Sequence, residues 1–177
     1  MVPLAWQRAL LRLLTGDAWF SGTSLGVNAG FIIGTCIAVM GAQFRLAAKQ
    51  ALGKHFTYEL SVQAEHTLVT AFPYNIVRHP SYTGGIVAAI GADIALFFAH
   101  GGWVREALWP WMTERGGVPG TLFATLFIIG SSVTQLAMYG ALVARTPLED
   151  DMMRSEFGEQ WDEWAHRVPY RLIPGVY

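Results

Sequence analysis

Two short runs in this 177-residue sequence carry side chains able to bind or neutralise ions. The first is Pro73-Tyr74-Asn75-Ile76-Val77-Arg78-His79-Pro80-Ser81-Tyr82-Thr83-Gly84. Pro80 biases His79 away from helix and itself suits a first helical position, so a helix is predicted to begin there. Arg78, His79 and the amides of the new helix start then crowd one spot. Such a spot suits an anion, because a helix amino terminus presents unpaired N–H groups and a partial positive charge. The plainer use of the same residues is an Arg and a His reaching lipid headgroups. The second run is Ala144-Arg145-Thr146-Pro147-Leu148-Glu149. Thr146 with Glu149 three residues later fits a capping box, and Pro147 fits the first helical position, which predicts a new helix from here. Arg145 and Glu149 would meet at that junction, with Glu149 serving either as a functional carboxylate or as a cap alone.

Other chemistries lack their residues. The histidines, His55, His66, His79, His100 and His166, show no metal-ligand spacing, so no metal site is expected. Cys36 is the sole cysteine, which leaves no internal disulfide and no thiolate metal site. There is no glycine-rich loop between a strand and a helix, and no G-x-S-x-G turn.

The elements that must hold the two runs follow from composition. The chain is 53% hydrophobic and only 14% charged, where soluble domains carry about a quarter of their residues as charges. Ala18 to Phe44, Ser81 to Val104 and Gly116 to Ala144 are 27, 24 and 29 residues long, and Asp93 is the one formal charge among them. A helix needs roughly 20 apolar residues to cross a bilayer. The expected fold is therefore an all-α integral membrane protein with about three transmembrane helices plus interfacial helices, forming a single domain over 1–177. Residues 1–17 are apolar but carry Arg8 and Arg12, as an amphipathic helix or the tail of a lost span would. Leu148, Met152, Phe157, Trp161 and Trp164 form an apolar stripe that predicts a helix lying on the membrane surface. Trp19, Trp103, Trp109 and Trp111 sit near span ends, as interfacial anchors do. Gly22, Gly26, Gly30 and Gly34 share one helical face, which serves packing within the chain or a homodimer seam. Asp93, at the middle of the second span, is expected to face the bundle, in a structural hydrogen bond or lining a ligand cavity. A net charge of −1 without any basic run argues against nucleic acid as a partner.

Together these residues resemble the membrane-embedded isoprenylcysteine carboxyl methyltransferases. The resemblance covers about residues 55–175. It is carried by His66-Thr67-Leu68-Val69-Thr70, Tyr74, Arg78-His79-Pro80-Ser81-Tyr82-x-Gly84, Arg145-x-x-x-Glu149, Phe157-Gly158-Glu159, Arg167-Val168-Pro169 and Leu172-Ile173-Pro174-Gly175. The R-H-P-x-Y-x-G element with a downstream acidic pair is shared with phospholipid methyltransferases and some sterol reductases. The resemblance implies methyl transfer from S-adenosylmethionine to the carboxy-terminal carboxylate of a prenylated cysteine, in the endoplasmic reticulum membrane. It further implies that Glu59, His66, Thr67, Leu68, Val69, Tyr74, His79, Pro80, Ser81, Tyr82 and Glu149 hold the cofactor and that Arg145 faces the substrate carboxylate. Prenylated proteins and the bilayer would be its partners. The other readings are an amine-methylating phospholipid methyltransferase and a truncated, non-catalytic membrane relative.

Orientation follows from basic residues beside the spans. The first connection carries Arg45, Lys49, Lys54 and Arg78 and the tail Arg145, Arg154, Arg167 and Arg171, against Arg8, Arg12, Arg105 and Arg115 on the other side. The first connection and the tail are therefore predicted to be cytoplasmic. Glycosylation acceptors inserted near Gly53 and Gly158 should stay unmodified and one near Thr113 should be used; modification at either of the first two refutes this orientation.

Overall fold

The computed structural model describes residues 27–53, 67–100, 102 and 104–177, and among them every regular element is helical. Among the described residues three helices are long and apolar enough to cross a bilayer: α1 (Ala29–Leu52), the stretch Pro80–Phe98, and α3 (Gly116–Phe157). The second consists of α2 (Pro80–Asp93) continued by a π-helical turn over Ile94–Phe98. Two further π-helical turns, Val104–Leu108 and Trp111–Arg115, precede α3, and a short α4 (Glu159–Arg167) and an irregular tail follow it. The all-helical, multi-pass membrane architecture expected from composition is thus present. Residues 1–17, Gly22, Gly26, Glu59 and His66 lie outside the described residues.

Packing separates two compact units. One holds the described residues up to Cys36 together with Gly91–Thr134, the other Ile37–Ile90 with Gln135–Tyr177. In the first, a Cβ on Gly34 would fall 2.6 Å from the Ala95 nitrogen and 2.9 Å from the Gly91 carbonyl oxygen, and one on Gly30 would fall 3.3 Å from Ala99 Cβ. At Gly30 and Gly34 the small-residue face therefore packs within the chain. A homodimer seam is not supported, because at Gly30 and Gly34 the chain's own second span fills the space. Asp93 is half-buried where α2 passes into its π turn. On α3, Val118, Leu122, Phe123, Leu126, Phe127 and Ile129 are exposed, an apolar surface suited to lipid rather than water.

The second unit carries the polar runs. Glycine-to-glycine approach sets the spacing of α1 and α2 here: a Cβ on Gly41 would sit 2.4 Å from the Ala88 nitrogen, and one on Gly84 would sit 2.6 Å from the Arg45 nitrogen. Helix α1 stops at Leu52, and Gly53 takes the left-handed conformation that ends a helix cheaply (φ 53). The core of this unit joins Ala48, Tyr74, Trp161, Trp164 and Val168, with the two indoles edge to face at 6.4 Å.

Two expectations are corrected. No new helix begins at Thr146; α3 runs through Pro147 without leaving helical backbone angles there. Pro147 lacks the N–H that would bond the carbonyl of Val143, four residues back, and Thr146 Oγ1 donates to that carbonyl instead, at 2.9 Å. The capping box is thus replaced by a local repair. Nor do the stripe residues form one surface helix. Gly158 (φ 54) breaks the chain between α3 and α4, and Trp161 and Trp164 are buried in protein rather than turned to lipid.

Gly41→Ala should lower unfolding stability in detergent by about 1–3 kcal/mol, the usual range for forced overpacking. Gly130→Ala, where nothing lies within 4 Å of the added carbon, should not lower it. Equal stability of the two variants contradicts the close helix contact.

Candidate active site

His79 immediately precedes α2, as Pro80 at the first helical position predicts. Its carbonyl accepts the N–H groups of Tyr82 (3.0 Å) and Thr83 (3.2 Å), and its own N–H donates to the Arg171 carbonyl at 2.9 Å. Arg78 N–H donates to the Tyr170 carbonyl in the same way, at 2.9 Å. The helix start is therefore stitched to the tail by backbone, and Thr83 Oγ1 adds a bond to the Leu172 carbonyl at 2.8 Å.

The side chains converge on two consecutive acids of α3. His79 Nδ1 lies 3.3 Å from Glu149 Oε2, and Nε2 lies 3.0 Å from Asp150 Oδ1. Tyr82 donates its hydroxyl to Glu149 Oε1 at 2.5 Å, with its ring stacked on the imidazole (5.8 Å, 9°). Arg145, one helical turn before Glu149, directs Nε and Nη2 to Oε1, each at 3.1 Å. Around Asp150 Oδ2 stand Arg78 Nη1 at 3.2 Å and Arg171 Nε at 2.8 Å. Arg45 reaches from α1 to the start of α2, donating to the Ser81 carbonyl at 2.7 Å and its hydroxyl at 3.0 Å. Its path passes over Gly85, where an added Cβ would come within 3.3 Å of the guanidinium.

Of the residues expected to act together, His79, Tyr82, Arg145 and Glu149 are in one cluster, and Pro80 and Ser81 form the helix start beneath it. Tyr74 is placed differently. It is buried in the neighbouring core, its hydroxyl donates to the Ala48 carbonyl at 3.3 Å, and the Tyr74 carbonyl accepts from Trp164 Nε1 at 3.3 Å. Burial, then the nearby charge of Glu149, pushes that phenol well above its ordinary range, so it stays protonated. Leu68 and Val69 pack partly buried against the same core, and Thr67 is exposed. The anion spot expected at Arg78 and His79 is occupied by the protein's own carboxylates. Sequence reasoning misses Asp150, Arg171 and Arg45 as members of the site; the acidic pair at 149 and 150 is the available signal for the first.

Electrostatics of the cluster are asymmetric. Four basic side chains, Arg78, His79, Arg145 and Arg171, meet two carboxylates. Burial works against the charged imidazole, but the hydrogen bonds it donates to Asp150 and Glu149 and their charges outweigh it, and His79 is held above its ordinary range. The sign of the linkage follows. A group whose folded value is raised gives its full stabilisation below the unfolded value of about 6.5 and loses it as pH rises through the folded value. The stability gap between wild type and His79→Gln should therefore be widest below about pH 6 and shrink at alkaline pH. Thermal unfolding across that range checks it, and a gap that widens on raising pH contradicts the assignment.

The chain is similar to known proteins. Residues 32–108 match the model of the isoprenylcysteine carboxyl methyltransferase (ICMT) family. Protein-S-isoprenylcysteine O-methyltransferase B of Arabidopsis thaliana is 25% identical over 138 residues, 77% of this chain and 55% of its own length. Protein-S-isoprenylcysteine O-methyltransferase A of the same plant is 34% identical over 98 residues, 52% of this chain and 48% of its own. The chain thus spans about half the length of these curated relatives. The solved structure of the eukaryotic intramembrane Ras methyltransferase ICMT shares the fold, with a TM-score of 0.58 at 21% identity, over 99% of this chain and 55% of that one. By family model and by curated relatives this chain is similar to the isoprenylcysteine carboxyl methyltransferases, and it shares the fold of a solved one.

Proposed function

We propose that this chain transfers a methyl group from S-adenosylmethionine to the carboxy-terminal carboxylate of a prenylated cysteine, at the cytoplasmic face of the endoplasmic reticulum membrane. The observation that carries the reading is the Arg145–Glu149–His79–Tyr82 cluster at the ends of membrane-spanning helices, with Arg145 about two-fifths exposed. The names of the relatives support the reaction, and the excess of basic residues beside the first connection and tail supports the orientation.

The residues fit the chemistry of both ligands. S-adenosylmethionine, when bound, supplies an activated methyl on a sulfonium and also carries a carboxylate. An excess of basic groups over carboxylates suits two anionic heads, while Glu149 opposes a cation. The residues that would hold the cofactor are Glu59, His66, Thr67, Leu68, Val69, Tyr74, His79, Pro80, Ser81, Tyr82 and Glu149. Arg145 would receive the acceptor carboxylate.

An α-carboxylate in water loses its proton near pH 3.3–3.7, roughly, so at neutral pH it is already nucleophilic and requires no general base. The protein's task is positioning, which can account for roughly 7–11 kcal/mol of a barrier. Arg145 compensates the charge of a carboxylate brought from water to the membrane surface. The prenyl chain, contributing about 0.8 kcal/mol per buried methylene, concentrates its cysteine at that surface.

Purified protein should therefore transfer radiolabelled methyl to a farnesylated or geranylgeranylated cysteine analogue and essentially none to the same thioether with a short alkyl group. The label should be released as methanol by base, as from an ester. Arg145→Ala should cost roughly tenfold to a hundredfold in use of the carboxylate substrate, the loss of a charge-assisted hydrogen bond. Base-resistant label, or label entering phosphatidylethanolamine, moves the chain to amine methylation. Failure to bind cofactor at all makes it a non-catalytic relative.

A further inference from the structure

Glu149 and Asp150 are neighbours in sequence, yet they approach one imidazole from two sides, at Nδ1 (3.3 Å) and Nε2 (3.0 Å). A neutral ring has one N–H and can serve one carboxylate; the imidazolium has two and serves both. Which nitrogen carries a proton is governed by the partner of the other, so the orientation of Asp150 decides what His79 presents to Glu149. That orientation is held by Arg78 Nη1, 3.2 Å from Asp150 Oδ2, and more closely from the tail. Arg171 Nε donates to Asp150 Oδ2 at 2.8 Å, while His79 contacts the other oxygen, Oδ1. Arg171 is in turn anchored twice: its carbonyl accepts the His79 N–H at 2.9 Å, and its Nη1 donates to the Tyr177 hydroxyl at 3.1 Å. The Tyr177 hydroxyl lies 3.4 Å from Thr146 Oγ1, the group that repairs α3 at Pro147.

We propose that Arg171 is a positioning residue, a brace that holds Oδ2 of Asp150 so that Oδ1 clasps Nε2 of His79 and Nδ1 is turned to Glu149. The brace deepens the methyl-transfer reading and rests on it for its kinetic consequence: Glu149 keeps its place in the cluster only while His79 is held against it.

The groups facing His79 are Glu149 and Asp150 from α3, Tyr82 from α2 and Arg78 from its own loop, with Arg145 beyond Glu149 and Arg171 and Tyr177 beyond Asp150. Charge and positioning therefore make opposite predictions for Arg171. Removing a nearby cation favours the charged imidazole and moves its titration to higher pH. Losing the brace frees Asp150 from Nε2 and moves the titration to lower pH.

The experiment is a titration of the full chain in detergent, carrying 13Cε1-labelled histidine and followed by NMR, with the His79 resonance assigned by its loss in His79→Gln. Arg171→Ala is expected to move the His79 midpoint to lower pH. Tyr177→Phe, a change at a part-exposed residue that leaves every charge in place, should move it the same way by less. A midpoint unchanged or raised in folded Arg171→Ala overturns the brace; where that variant fails to fold, an unchanged midpoint in Tyr177→Phe does so. In the methyl-transfer assay Arg171→Ala should lose about three- to tenfold in rate and shift the alkaline limb of the pH profile to lower pH. Wild type inactive on prenylcysteine, with the midpoint lowered as expected, sinks the methyltransferase reading and leaves the brace standing.

Discussion

The arrangement depends on one imidazole shared between two carboxylates. His79 takes up Glu149 on one nitrogen and Asp150 on the other, so a single ring ties the start of α2 to α3, and its backbone ties both to the tail. Each bond is made in partial burial, where an unpaired carboxylate would be expensive and a paired one is strongly directional. Arg78, Arg145, Arg171 and Tyr82 then complete the ligation of the same two acids. Removing the ring would leave two adjacent acids facing one another across the space it fills. The cluster is thus a unit, and its members cannot be valued one at a time.

The unit also requires that α3 be unbroken. Proline in a helix interior usually costs about 3 kcal/mol, through a lost hydrogen bond and a clash with the carbonyl four residues back. Here the Thr146 hydroxyl answers that carbonyl, and the helix continues with Arg145 and Glu149 one turn apart on one face. Had the chain restarted at Thr146, Arg145 would have belonged to the preceding element and its alignment with Glu149 would have depended on the angle between two helices. Continuity makes it a matter of helical pitch.

Much of this is legible in the sequence, for identifiable reasons. The apolar stretches reveal the membrane helices because length and composition decide insertion. Pro80 reveals the start of α2 because its ring fixes φ. Arg145 and Glu149 are spaced to meet in any helix. Asp150 is harder to read: Glu149, Asp150 and Asp151 are three acids in a row, and only the rotation of α3 shows that Asp150 is buried and Asp151 exposed. Arg171 is harder still, since nothing local in an irregular tail says that it returns to Asp150. The Trp161 and Trp164 stripe misleads because amphipathicity names an apolar face without naming what covers it. Here the cover is protein, and Arg78 and Arg154 stand over the Trp161 ring at 5.5 and 5.9 Å.

The continuity of α3 past its apolar portion makes the helix a depth gauge. Glu149 follows the last residue of the uncharged stretch, Ala144, by five positions, which at 1.5 Å per residue raises it about 7.5 Å. Side chains along this portion, among them Leu136, Met138 and Val143, are exposed, and another apolar group there would meet no packed neighbour it must fit. Its length is not interchangeable. One added residue would lift the acids by about 1.5 Å and swing them through about 100°, carrying both off the imidazole, and four would nearly restore the bearing while lifting them about 6 Å. Drift in composition with strict conservation of length is therefore the pattern of change this segment can accept.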